Sequence, residues 1–371
     1  MIKYFLIGWL IAFAFWAYSI TWIFHAVNYY GAGNALSGFT TVLLIAYVSI
    51  YFGIFFVAIK FFRDHKYRVL IIPSAFFLLE WFKSWVFSGF PWLNLGILSE
   101  SLWGLLPVVG ISGTSFLIIL IIALLLEKNR VIFSRITAGL ILVVLLIGPG
   151  HYQNGGDEKL KITVIQPLTT NIERIIKMTN KAESDLVVWP EAVTKFDENV
   201  WELVPEKVVI GGFFRQENTN VYTSAINLKT GHYYDKRNLV PFGEFQPFGS
   251  LLKSINDFFN IPNSSLSRGL FNQTKADWSA LICWELVFNE TFTRRVRGTK
   301  YIVHISNDKW YGSSMPAQHL KHAKARAVES NKWVVRATLD GISQIISPRS
   351  NESSVICLLY TSPSPRDNKA S

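Results

Sequence analysis

The chain has 371 residues, 50% of them hydrophobic, and a formal net charge of +10. Its length accommodates two domains, and its apolar residues are concentrated in the first 150 positions. The basic balance comes without an arginine–aromatic motif, which argues against nucleic acid and points instead to membrane topology and an anionic lipid surface.

From the N-terminus, Tyr4–Phe24, Leu36–Ile59 and Ser101–Leu126 are free of charge. Each reaches the roughly 20 apolar residues that a membrane span requires. Val69–Trp85, with Glu80 and Lys83 near one end, and Val131–Ile147, with Arg135 near its start, read as two further spans. Residues 1–150 are therefore expected to form a transmembrane domain of about five helices. The first run is too long for a signal-peptide core and lacks a small-residue cleavage site, so it is expected to be retained. Lys3, Lys60, Arg63, Lys66, Arg68, Lys128, Arg130 and Arg135 fall on one side of a five-span arrangement, and Lys83 alone on the other. That bias puts the N-terminus in the cytoplasm and everything after Gly150 outside it.

From about Lys159 the pattern changes to short apolar strands between polar helices. "KITVIQP", "DLVVWPE", "KVVIGGFF", "VYTSAINL", "SALICWE", "YIVHISND" and "WVVRATLDG" are rich in Val and Ile and read as strands. Asn171–Ala182, Glu285–Val296 and Ala317–Asn331 read as helices, so residues 159–350 are expected to form an αβ domain of three or four layers. No internal repeat is visible. The segment "LLYTSPSPRDNKAS" (358–371) is polar and Ser/Pro-rich and looks like a non-native tail; it and Cys357 are set aside from the fold.

The stretch "LICWELVFNE" holds Cys283, where an apolar strand meets Trp284 and Glu285. A buried cysteine is most often a small hydrophobe, but a strand end is where αβ proteins keep their chemistry. Two other segments offer partners: "LVVWPEAV" puts Glu191 just past a strand, and "YYDKRNLVPFGEF" holds Lys236 and Glu244. A carboxylate can take the thiol proton, and an ammonium can favour the thiolate and then a tetrahedral oxyanion. Taken singly, such residues are usually a helix cap, a surface lysine and an inert thiol. His319 and His322 sit at i, i+3 on an expected helix, a spacing that could bind a metal. There is no HExxH pattern and no second thiol cluster, so packing or solvation is the favoured reading. No G-x-S-x-G elbow is present. Asn307 and Asp308 end a strand beside the site, as a turn or as part of it. The apolar stretch Phe242–Ile261 reads equally as core or as a lid over a lipid cleft.

The ordered set Glu191, Lys236 and Cys283 resembles the Glu-Lys-Cys triad of the nitrilase superfamily. The blocks "WPE", "NLVPFGEFQPF", "SSLSRG", "ICWE", "ISNDKWYG", "QHLKHAKARAVE" and "DGISQII", with "SITWIFHAV" and "GFPWLNLG" upstream, resemble those of its membrane branch, the apolipoprotein N-acyltransferases. The resemblance runs from about Ile7 to Pro348. It implies an N-terminal transmembrane helix bundle followed by a nitrilase-like αββα sandwich. Glu191 would be general base, Lys236 the thiolate and oxyanion partner, and Cys283 the nucleophile. Glu244 would orient Lys236, Glu285 would complete the polar shell, and the Trp284 N–H would be a second oxyanion donor. Trp284 stands where the family commonly has Tyr. The family usually has seven spans before the catalytic domain and one after it, so a fragment truncated at both ends is expected.

The implied activity moves an acyl chain from a phospholipid, through a thioester on Cys283, to the α-amino group of a diacylglyceryl-modified apolipoprotein cysteine. It needs no metal or organic cofactor. The implied location is the bacterial inner membrane, multi-pass, with the catalytic domain periplasmic. A membrane-tethered amidase or nitrilase with the same triad is the first alternative, and a non-catalytic polytopic scaffold the second.

Overall fold

The computed structural model describes residues 1–29, 31, 33–153, 160–196, 198–204, 207–241, 243–245 and 266–350. Most of the expected lid-or-core stretch 242–261, and the tail 358–371 with Cys357, lie outside the described residues.

Among the described residues, the N-terminal part has six α-helices: α1 (Ile2–Ser19), α2 (Trp22–Tyr29), α3 (Gly33–Phe62), α4 (Arg68–Lys83), α5 (Leu106–Leu125) and α6 (Val131–Ile147). Among the described residues, four helical stretches are long and apolar enough to cross a membrane: Ile2–Ser19, Gly33–Phe62, Glu100–Leu125 and Val131–His151. The expected span Val69–Trp85 forms α4, whose 16 residues rise about 24 Å, short of a ~30 Å hydrocarbon core. Helices α1 and α3 approach closely because Gly8 and Gly53 offer no side chain. A Cβ on Gly8 would stand 2.6 Å from the Phe52 carbonyl, and one on Gly53 would stand 2.6 Å from the Phe5 ring.

The expected single span Tyr4–Phe24 is divided. Helix α1 stops at Ser19, and α2 starts afresh at Trp22. The Ser19 carbonyl accepts from Gln318 Nε2 at 2.7 Å. Gln318 Oε1 in turn accepts the indole N–H of Trp22 at 3.1 Å and of Trp92 at 2.7 Å. One amide thus holds a helix end, a second helix and the 84–105 connection, using both its donor and its acceptor. Behind it, Glu80 accepts the Leu95 N–H at 2.9 Å, and Lys83 Nζ donates to the Trp92 carbonyl at 3.2 Å over the Trp16 ring. Ionisable side chains in an apolar helix are costly and turn toward protein, and here they pin one loop.

The second part contains two sheets. One runs β1 (Ile162–Val164), β2 (Leu186–Val188), β4 (Val208–Glu217), β5 (Asn220–Asn227), β6 (Tyr233–Asp235), with β3 (Thr194–Lys195) also paired to β4. The other runs β10 (Gln344–Ile346), β9 (Val334–Thr338), β8 (Tyr301–Ser306), β7 (Trp278–Ile282). The period of two along each strand splits its residues between two cores. Leu186, Val188 and Ile210 meet Ala280, Ile282, Val303 and Val335 between the sheets. Val187 and Val209 face outward onto Ile175 and Met178 of α7 (Ile172–Lys181). On the far side, Leu281, Ile302 and Val334 pack under α8 (Asn289–Val296) and α9 (Met315–Ser330). Helix, sheet, sheet, helix is the αββα sandwich expected from the sequence.

Helix α9 covers the second sheet with one face and meets the membrane helices with another. Besides Gln318, Lys321 Nζ donates to the Leu98 carbonyl at 2.6 Å. Glu329 Oε1 accepts the Ile111 N–H at 3.3 Å. That N–H is released where α5 breaks at Gly110, whose φ of +68° suits glycine.

Candidate active site

Three strand ends meet at one point. Glu191 follows β2 after Pro190, which has no N–H to continue a ladder. The neighbouring strand β4 fits against it only because position 212 is glycine: a Cβ there would lie 2.5 Å from Glu191 Cα. Lys236 follows β6 and is tied to β5 by its N–H, which donates to the Thr223 carbonyl at 2.8 Å. Cys283 follows β7 and opens the 3₁₀ turn Cys283–Val287. Its φ of +54° is a left-handed backbone for a non-glycine residue, a costly state that surrounding contacts must hold.

The side chains are almost wholly enclosed: Glu191 is 3% exposed, Lys236 0% and Cys283 1%. Lys236 Nζ donates to Glu191 Oε1 at 2.8 Å and to Glu244 Oε1 at 2.7 Å. The second oxygen of each carboxylate takes a backbone N–H, Asn307 on Glu191 at 3.1 Å and Val240 on Glu244 at 2.8 Å. Glu285 is a tie rather than a reactive group. Its Oε1 accepts from Tyr234 Oη at 2.9 Å and from the Arg237 and Asn238 N–H groups at 2.6 and 3.0 Å, while its Oε2 accepts from Ile282 N–H at 3.0 Å. One buried carboxylate so joins the cysteine turn to the lysine loop. Trp284 donates its indole N–H to the Asn238 carbonyl at 3.0 Å, and its ring packs edge-on against Phe288. The indole thus has a polar partner of its own.

Burial pushes the Glu191 carboxyl up to about 7, against the pull of the Lys236 ammonium. Burial also raises the Cys283 thiol far above its usual range; the negative charge of Glu191 adds to this, and Lys236 opposes it. Lys236 loses affinity for its proton through burial but regains more from Glu191 and Glu244, so it stays charged. At rest the sulfur is a thiol, beside a carboxylate whose proton affinity suits a base at neutral pH.

Behind the thiol is a buried group that sequence reading only partly found. Asp308 accepts from Arg336 Nη2 at 2.6 Å and from Ser306 Oγ at 2.6 Å. His304 and His319 lie on the same arginine. His304 and Arg336 were missed, although each puts an ionisable side chain mid-strand in an apolar run, in facing register on β8 and β9. The paired histidines of α9 diverge: His319 Nε2 faces the Cys283 carbonyl, and His322 Nε2 accepts the Leu93 N–H at 3.3 Å. Asn307 and Asp308 are more than a turn, since one bonds Glu191 and the other anchors Arg336.

Residues 2–124 match the family model of the apolipoprotein N-acyltransferase N-terminal domain, and residues 206–356 match that of carbon-nitrogen hydrolases. Among similar proteins, the apolipoprotein N-acyltransferase of Wigglesworthia glossinidia brevipalpis is 30% identical over 89% of this chain and 76% of its own length. That of Pseudomonas paraeruginosa is 30% identical over 92% and 76%. The one from Methylococcus capsulatus is 28% identical over 92% and 77%.

Proposed function

The chain belongs to the apolipoprotein N-acyltransferase family, and from that premise we propose that Glu191, Lys236 and Cys283 carry its acyl transfer through a thioester. The protein is a membrane acyltransferase of lipoprotein maturation. The observation that carries the triad reading is the Lys236 ammonium shared between two buried carboxylates, Glu191 and Glu244. Its charge acts directly on the Cys283 thiol.

The donor is a phospholipid. Glu191 takes the Cys283 proton as sulfur attacks the glycerol ester carbonyl, and the Lys236 ammonium and the Trp284 N–H take up the oxyanion. The tetrahedral adduct collapses, the C–O bond breaks, and the leaving lysophospholipid alkoxide receives the proton from Glu191. In the second half the α-amine of the diacylglyceryl cysteine attacks the thioester. Glu191 accepts the amine proton, the C–S bond breaks, and the thiolate recovers its proton. An amide acceptor or donor would need no such neighbourhood of long apolar helices, which favours lipid over the amidase reading. Glu244 holds Lys236 in place, and Glu285 holds the turn.

The base predicts a pH profile. Glu191 is active only when deprotonated, so thioester formation without acceptor should fall about tenfold per unit below pH 7 and level off above it. Stopped reactions read as acylated enzyme give the curve. A rate independent of pH between 5 and 8, or one rising with acid, would count against Glu191 as base. Glu191→Gln should remove the sigmoid together with the rate.

The protein sits in the bacterial inner membrane with the catalytic part on the periplasmic side. The support is the loop charge asymmetry, with α4 counted as a crossing. Single cysteines or tags in the 60–68 loop should report cytoplasm, and tags after Gly150 the periplasm. The reverse labelling of both would refute the orientation.

A further inference from the structure

The peptide joining Cys283 to Trp284 is gripped from behind. Its carbonyl oxygen, on Cys283, meets His304 Nε2 at 2.9 Å and His319 Nε2 at 3.2 Å. A carbonyl oxygen accepts only, so an imidazole bonds it through an N–H. The other ring nitrogen of His304 agrees. Arg336, which only donates, reaches His304 Nδ1 at 2.8 Å and His319 Nδ1 at 3.3 Å. At His304 the Nδ1 therefore offers its lone pair and the ring proton sits on Nε2. His319 Nδ1 stands between the Arg336 donor and an Asp308 carboxylate oxygen, so its assignment follows from the carbonyl facing its Nε2 and not from Nδ1. Asp308 holds the arginine through Oδ2 at 2.6 Å, and its Oδ1 lies 3.2 Å from His319 Nδ1. Burial, followed by the Arg336 charge, keeps both imidazoles below their usual pKa and hence neutral. The four side chains, Asp308, Arg336, His304 and His319, are all buried.

That carbonyl shares its peptide with the N–H assigned above to the oxyanion. Two donors on the oxygen draw electron density out of the amide and make its N–H a stronger donor. Linked hydrogen bonds strengthen one another by about 10–30% each. The same grip resists relaxation of the Cys283 backbone from its φ of +54°. We propose that His304 and His319 are positioning residues that lock and polarise the Cys283–Trp284 peptide, tuning the oxyanion site while leaving the activation of the thiol to Glu191 and Lys236. His319 follows Gln318 on α9, so the membrane seat and this grip are adjacent residues of one helix.

The inference rests on the thioester reading, and a chemical split separates the two. Acyl transfer builds an oxyanion, whereas alkylation of the same sulfur by iodoacetamide does not. In the full chain in membranes, His304→Leu and His319→Leu should each slow thioester formation from phospholipid about tenfold, less than the 10²–10³ for a donor removed outright. KM for phospholipid should hold, and the rate and pH profile of Cys283 alkylation should stay near parental. His304→Gln, which keeps an N–H at the same reach, should restore most of the loss. Parental acyl transfer in both leucine variants would overturn the inference, as would alkylation falling by the same factor as acylation.

Should the leucine variants fail to fold, the unaltered site can be read directly. The chain has 2 cysteines, so in Cys357→Ser a cysteine isotopically labelled at the carbonyl carbon reports Cys283 alone. A doubly bonded carbonyl gives an infrared band below that of a singly bonded amide, and a band at the ordinary position would contradict the grip. Cys283→Ser serves as the control. An adduct that persists in it defeats the nucleophile assignment, while a normal adduct indifferent to the histidines defeats only the inference drawn here.

Discussion

Serine in place of Cys283 is expected to abolish acyl-enzyme formation while the chain stays folded and membrane-inserted. The site is 1% exposed, and oxygen for sulfur is a nearly isosteric change, so the packing around β7 has little to lose. The chemistry loses much more. A carboxyl titrating at about 7 can draw a proton from a thiol during attack, but a hydroxyl is several units less acidic and a poorer nucleophile. The loss should be on the order of 10⁴-fold or more, as for nucleophiles removed from other triads. The assay is acylated protein after incubation with labelled phospholipid. Parental transfer by Cys283→Ser would make "LICWE" an ordinary core strand.

The second large effect is expected from Lys236→Met. Lys236 is fully enclosed, and its Nζ is the shared partner of Glu191 and Glu244, at 2.8 and 2.7 Å. Removing one member of a buried ion pair costs about 3–5 kcal/mol, because the partner is left charged without compensation. Here two carboxylates are left, and they repel. The cheapest relief is protonation, so Glu191 should rise further from about 7, and a protonated Glu191 cannot act as base at neutral pH. The thiol loses the favourable charge of Lys236 at the same moment. Activity at pH 7 should vanish and the melting temperature should drop. Adding Glu244→Gln should recover part of the stability and none of the activity. Retained acyl transfer in Lys236→Met would remove the lysine from the mechanism.

The parts of this molecule written in local pattern were legible. Charge-free runs marked the long helices, and Val/Ile runs marked β2, β4, β5, β8 and β9 at nearly their observed places. The missed elements are those whose existence depends on a partner. Strand β3, Thr194–Lys195, and strand β10, Gln344–Ile346, are too short to show a period of two. They are strands because β4 and β9 lie beside them. The break after Ser19 was equally hidden, since the residue that takes the Ser19 carbonyl, Gln318, lies 299 positions away. In the site, Glu191, Lys236 and Glu244 form one ion cluster. Glu285 was expected in the polar shell, but its grip on three backbone N–H groups could not be read from "CWE". Arg336 and His304 did leave a signal, an ionisable residue inside each of two apolar strands. A charge at such a position needs a buried partner, and the strand register supplies it.

In the proposed chemistry the acyl chain rests covalently on Cys283 between donor and acceptor. The most direct test is the mass of the Cys283 peptide from full-length enzyme incubated with a phospholipid of defined chains and no acceptor. The expected result is a gain of one acyl chain on Cys283, labile to hydroxylamine, that disappears when a diacylglyceryl lipopeptide is added and reappears on the lipopeptide amine. Transfer to the lipopeptide with Cys283 unmodified at every time point, or with the chain on another residue, would contradict it.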